Sequence, residues 1–85
     1  MKEFQYRIQD ANGVHARPAG LLVKEASKFN SIIEILCGDK TADAKKIFSV
    51  MSLGIKQNDT VTVRIDGDDE AKAMPHMENF FKNNL

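Results

Sequence analysis

Apolar and polar residues alternate near the start of the chain, with Phe4, Tyr6 and Ile8 on one side and Glu3, Gln5 and Arg7 on the other. Successive side chains of an extended backbone point to opposite faces, so residues 2–9 read as a half-buried strand. Asn12-Gly13 follows with the chemistry of a turn. From Ala16 the period lengthens, and Ala19, Leu22, Val23, Ala26 and Phe29 fall three or four apart on one face of a helix. Leu21 lies off that stripe. Gly20 sits inside the helix at a cost of about 1 kcal/mol relative to alanine; a use for its smooth surface and sequence drift are equally compatible with it.

Residues 31–37 are β-branched and apolar, hence a second strand. Gly38-Asp39 makes a hairpin turn into a short third strand over residues 40–43. Residues 46–53 read as a short helix ended by Gly54, with Val50 and Leu53 inward and too little core left for Ile47, Phe48 and Met51 together. Residues 60–66 alternate again, placing Val61, Val63 and Ile65 inside. The last helix runs from about Asp69 to the end on a stripe of Ala73, Met74, Met77, Phe80 and Phe81, with Asp68, Asp69 and Glu70 as favourable charges at its start. Pro75 interrupts this helix, removing one backbone bond at a cost of about 3 kcal/mol. A kink at Pro75, or a later helix start, is expected. The pattern alone gives an α+β protein with one covered sheet face.

Eighty-five residues form one domain, 1–85, with 42% apolar side chains and no linker or repeat. At this size only about 60–65% of the unfolded surface is buried, enough for a modest core but not a deep catalytic cavity. Twelve basic and twelve acidic side chains cancel, which argues against nucleic acid as a partner. Cys37 is the single cysteine, so no internal disulfide forms, as suits a reducing compartment. Residues 1–5 carry no apolar signal region, and no run approaches the roughly 18 residues of a membrane helix. A cytoplasmic protein with no membrane insertion is expected.

The candidate chemistry lies in Gly13-Val14-His15-Ala16-Arg17-Pro18, where the helix begins. The first backbone N–H groups of a helix are unpaired, and its dipole favours an anion there. A phosphate on His15 would meet the Ala16 and Arg17 amides and the Arg17 guanidinium. Pro18 costs little in the first turn, because the N–H it lacks would be unpaired anyway. Taken alone, His15 is a polar residue beside a turn; with Gly13, Arg17 and Pro18 in register it reads as a phosphoryl acceptor. No second nucleophile, carboxylate pair or metal-ligand set accompanies it, so neither cofactor nor metal is expected. His76 reads as a solvated side chain and Cys37 as packing. Such a chain carries a group between enzymes and does not turn over a small substrate itself.

Three further segments extend the pattern: Phe4-Gln5-Tyr6-Arg7-Ile8, Val50-Met51-Ser52-Leu53-Gly54 and Gly67-Asp68-Asp69-Glu70. With His15-Ala16-Arg17-Pro18-Ala19 they make nearly the whole chain resemble the histidine-containing phosphocarrier (HPr) family of the bacterial sugar phosphotransferase system. The resemblance implies a βαββαβα open-faced sandwich, a four-stranded antiparallel sheet with three helices on one face. It also implies a monomer whose His15 is phosphorylated at Nδ1 by phospho-enzyme I and passes the group to IIA proteins or domains of sugar transporters.

A carrier needs a docking face. Gly20, Leu21 and Lys24 on the first helix and Ile47, Phe48 and Met51 on the short one are expected to form an apolar patch. Arg17, Lys24, Lys45 and Lys46 rim it. The plainer alternative is that Ile47 and Phe48 complete the core and the lysines are solvated surface. The resemblance places phosphotransferase partners on this patch. It departs from the family at Lys46, where many members carry a serine phosphorylated by a regulatory kinase, so that control is not carried over. Lys46 and Pro75 motivate a second function, a regulatory or binding paralogue without relay duty. A nucleic-acid-binding α/β sandwich is the third, disfavoured by the neutral charge and the absence of aromatic-basic interleaving.

Overall fold

A computed structural model describes residues 1–85. The elements run β1 (Lys2–Arg7), α1 (Ala16–Ala26), β2 (Ile32–Cys37), β3 (Lys40–Asp43), α2 (Ile47–Met51), β4 (Thr60–Asp66) and α3 (Glu70–Asn84). The strands form one antiparallel sheet in the order β1-β4-β2-β3. Phe4 lies opposite Val63, Val63 opposite Ile35, and Ile35 opposite Ala42, so one row of apolar side chains crosses all four strands. Their alternation puts every member of that row on the helix-covered face, and all four are buried. The expected architecture, α+β with three helices and an open-faced sheet, is the observed one.

The helices close this face with the stripes their sequences carry. Ala19, Leu22 and Ala26 of α1, Val50 of α2, and Ala73, Met77, Phe80 and Phe81 of α3 are buried in one continuous core. Phe81 is its aromatic hub: Phe4 and Tyr6 each meet it edge-on with ring centres 5.7 Å away. Val23, Phe29 and Met74, expected on the same stripes, pack at the edge of the core and stay partly exposed. Cys37 is half-buried, and burial pushes its thiol pKa up.

Element ends differ from expectation where loops compete for backbone groups. β1 stops at Arg7 because Ile8, still buried, pairs with the Asp59 carbonyl and the Asn58 amide instead of continuing the ladder. Asp69 does not cap α3 with its side chain. Its carboxylate reaches across to the Asn30 and Ser31 amides and the Ser31 hydroxyl, tying the start of α3 to the start of β2.

Pro75 neither delays nor divides α3, which begins at Glu70 and runs unbroken to Asn84. Pro75 and Ala71, whose carbonyl loses its donor, are both exposed. Both lie on the exposed side of α3, where the proline ring displaces nothing in the core.

Candidate functional site

His15 stands at the hinge between an extended loop and a helix. Its backbone is extended, with φ −94° and ψ −177°, while its carbonyl already accepts the Ala19 amide at 2.9 Å. It is therefore the N-cap of α1, yet its side chain bonds no amide of the first turn. The ring stays 41% exposed. The Ala16 and Arg17 amides have no acceptor, and Pro18 has no N–H to offer. Two free donors and the positive end of the α1 dipole thus lie beside an accessible imidazole. The Arg17 guanidinium is exposed and makes no ion pair or hydrogen bond.

The loop before His15 is held tightly. Gly13 takes φ +64°, a left-handed conformation that glycine adopts freely, and an added Cβ would lie 2.2 Å from the Ile55 carbonyl oxygen. That close approach lets the Val14 amide donate to the same carbonyl at 3.1 Å. Asp10 pins the other side, its Oδ1 accepting the Asn12 amide at 2.8 Å and its carbonyl accepting the Gly13 amide at 2.9 Å. The Leu85 carbonyl oxygen in turn accepts the Gln9 and Asp10 amides.

Asp10, His15, Arg17, Pro18, Leu21 and Asn84 line an open depression of about 310 Å³. Asp10 and Asn84 were not among the expected site residues. Asn84 comes from the far end of the chain, and no local pattern signals its arrival. Asp10 carried a weak signal, because an aspartate two residues before Asn12-Gly13 is placed to accept a turn amide.

The residues expected on a docking face divide. Gly20 faces Ile47, but a Cβ on Gly20 would lie 3.7 Å from Ile47 Cδ1, an ordinary contact, so the approach of α1 and α2 does not require a glycine there. Ile47 packs against the core, whereas Phe48 is 84% exposed, Leu21 43% and Met51 38%. Lys24 and Lys46 project into solvent, and Lys46 is the N-cap of α2 without bonding its amides. Lys45 is drawn away from the rim, because its Nζ donates to the Phe29 carbonyl at 2.7 Å just beyond α1. His76 is not simply solvated. Its Nε2 lies 2.7 Å from Glu25 and its ring packs edge-on against Phe29. The hydrogen bond from His76, with help from Lys28, holds the Glu25 carboxyl below the ordinary glutamate range.

No three His, Cys, Asp or Glu side chains gather as metal ligands, and no helix is long and apolar enough to cross a membrane. A shallow, anion-favouring depression around one imidazole suits reversible attachment of a small anionic group.

Comparison with known proteins bears on the same residues. The family model for the PTS HPr component phosphorylation site matches residues 2–83. The phosphocarrier protein HPr of Mycoplasma genitalium is 45% identical over 75 residues, covering 87% of this chain and 85% of its own. A solved histidine-containing phosphocarrier protein of Mycoplasma superposes with a TM-score of 0.94 at 38% identity, over 96% of this chain and 93% of the other. The HPr of Thermoanaerobacter tengcongensis, solved as a dimer, gives 0.77 at 40% identity, over 98% of this chain and 95% of that one.

Proposed function

The chain belongs to the HPr family of phosphocarrier proteins of the phosphotransferase system, and from that premise we propose that His15 accepts a phosphoryl group from phospho-enzyme I and hands it to IIA components of sugar transporters. The observation that carries this reading is the pair of unpartnered amides, Ala16 and Arg17, beside the exposed His15 ring at the positive end of α1. A phosphoryl group on the ring takes hydrogen bonds from those amides at no cost to any existing bond. Arg17, exposed and unpaired, clamps the phosphoryl oxygens as the group passes between two proteins. The protein is then a substrate of phosphotransferases and not an enzyme in its own right.

Partners dock on the face formed by Gly20, Leu21, Ile47, Phe48 and Met51, with Lys24 and Lys46 steering acidic surfaces toward it. Lys45 supports that face from behind through the Phe29 carbonyl. The relay runs in the cytoplasm, through a monomer that presents one His15 at a time.

The test is incubation with enzyme I and phosphoenolpyruvate. An acid-labile phosphoprotein is expected, and His15→Ala abolishes it. Equal labelling of His15→Ala overturns the assignment. Failure to restore sugar phosphorylation in an extract lacking its own carrier favours the regulatory paralogue instead.

A further inference from the structure

We propose that Asp10 is a positioning residue for His15, fixing the imidazole in the tautomer that presents Nδ1 to the incoming phosphoryl group. Asp10 Oδ2 lies 4.0 Å from His15 Nε2, and both side chains line the same depression. The carboxylate is not free to wander. Its Oδ1 is committed to the Asn12 amide at 2.8 Å, its backbone N–H to the Leu85 carbonyl, and its carbonyl to the Gly13 amide. Three attachments aim the remaining oxygen at one nitrogen of the ring. The inference rests on reading His15 as the phosphoryl acceptor, and adds the group that decides which nitrogen reacts.

The chemistry follows from the two nitrogens of a neutral imidazole, one carrying the proton and the other a lone pair. A carboxylate beside Nε2 favours the proton there, leaving the lone pair on Nδ1, as an aspartate does for the histidine of hydrolytic triads. In the transfer, the Nδ1 lone pair forms the new N–P bond. The donor's bond to phosphorus breaks, and its electron pair stays with the donor. No proton moves. The ring keeps its Nε2 hydrogen and becomes an N-phosphoryl imidazolium. Its positive charge faces Asp10 Oδ2, and the free Ala16 and Arg17 amides at the start of the same helix are the donors left for the phosphoryl oxygens on the other nitrogen. Handing the group on reverses these steps. The apo separation of 4.0 Å shortens to hydrogen-bond length as the ring gains charge.

Asp10→Asn tests this with little structural change, because its side-chain oxygen still accepts the Asn12 amide. The amide now aimed at Nε2 is a donor. It bonds the Nε2 lone pair and drives the ring proton to Nδ1, where that proton occupies the reactive lone pair. Ring-nitrogen NMR should show His15 predominantly protonated at Nε2 in the wild type and shifted toward Nδ1 in Asp10→Asn. The phosphorylation rate from enzyme I and phosphoenolpyruvate should fall about tenfold or more, up to the roughly 10⁴-fold lost when the orienting aspartate of a hydrolytic triad becomes asparagine. The KM for enzyme I should hold, and Asp10→Glu, a second carboxylate, should recover part of the rate. Unchanged tautomer and rate overturn the proposal, as does a change in KM alone. If the wild type is never labelled at His15 but its tautomer still follows Asp10, the carrier reading fails and the orienting role stands.

Discussion

Asp69 at the start of α3 accepts the hydroxyl hydrogen of Ser31 at the start of β2, 38 residues earlier in the chain. The same carboxylate takes the Asn30 amide at 2.7 Å and the Ser31 amide at 2.9 Å. Ser31 is buried and Gly67 packs against it so closely that a Cβ there would lie 2.6 Å from Ser31 Cα. One side chain thus joins two elements that no local sequence signal connects.

This arrangement has a pH signature. The Ser31 hydroxyl first, then the Asn30 and Ser31 amides, hold the Asp69 carboxyl below its ordinary value. A folded-state value below the unfolded one, about 3.9, gives stability that is complete above that pH and lost as pH falls through the folded value. The gap in Tm between wild type and Asp69→Asn should therefore be widest near neutrality and close toward pH 2. A gap of constant width across acid titration would show that the carboxylate charge is not what ties α3 to β2.

Gly13 and Gly38 both have positive φ, +64° and +62°, but only Gly13 is crowded. Asparagine tolerates left-handed backbone, so Gly38→Asn should change stability by less than about 0.5 kcal/mol. At Gly13 the same substitution drives Cβ into the Ile55 carbonyl, and the Val14 hydrogen bond to that carbonyl is the first loss. Destabilisation above about 1–2 kcal/mol is expected, with a drop in His15 labelling because the loop that presents the ring shifts. Chemical denaturation of the two variants decides between crowding and φ as the constraint.

Phe48 separates docking from folding. Its side chain is 84% exposed and contributes nothing to the core, so Phe48→Ala should leave stability within about 0.5 kcal/mol of wild type. A ring of that size at the centre of a protein contact is worth about 1.4 kcal/mol or more, so the KM for enzyme I should rise about tenfold or more. A normal KM would remove α2 from the docking face.

Much of this was legible in the sequence for a simple physical reason. Strands and helices are separated by short turns, and each carries a clean period, as Val61, Val63 and Ile65 show by all being buried. The place of His15, Ala16 and Arg17 at the start of α1 was legible because a helix N-terminus is a local event. Asp10, Asn84 and the capture of Lys45 by the Phe29 carbonyl were not, because each is made by chain segments that meet only after folding. At Pro75 the helix was not delayed, since α3 begins at Glu70. The rule for proline describes a helix interior, and whether the orphaned carbonyl faces water or protein is a tertiary fact.

That exposure makes Pro75 a test of how much strain α3 still holds. Restoring an N–H at this position lets it donate to the Ala71 carbonyl, and both residues face solvent, so nothing in the core must move. A proline in a helix interior costs about 3 kcal/mol, while its stiffening of the unfolded chain returns about 0.4–1 kcal/mol. Exposure of both residues lessens the remainder, so Pro75→Ala should stabilise by about 1–2 kcal/mol. In a domain of this size each kcal/mol raises Tm by about 4–8 °C, a shift calorimetry reads easily. Phosphoryl transfer should not change, since Pro75 does not line the His15 depression. An unchanged or lower Tm would mean that α3 has relaxed fully around its proline, leaving only the entropic benefit.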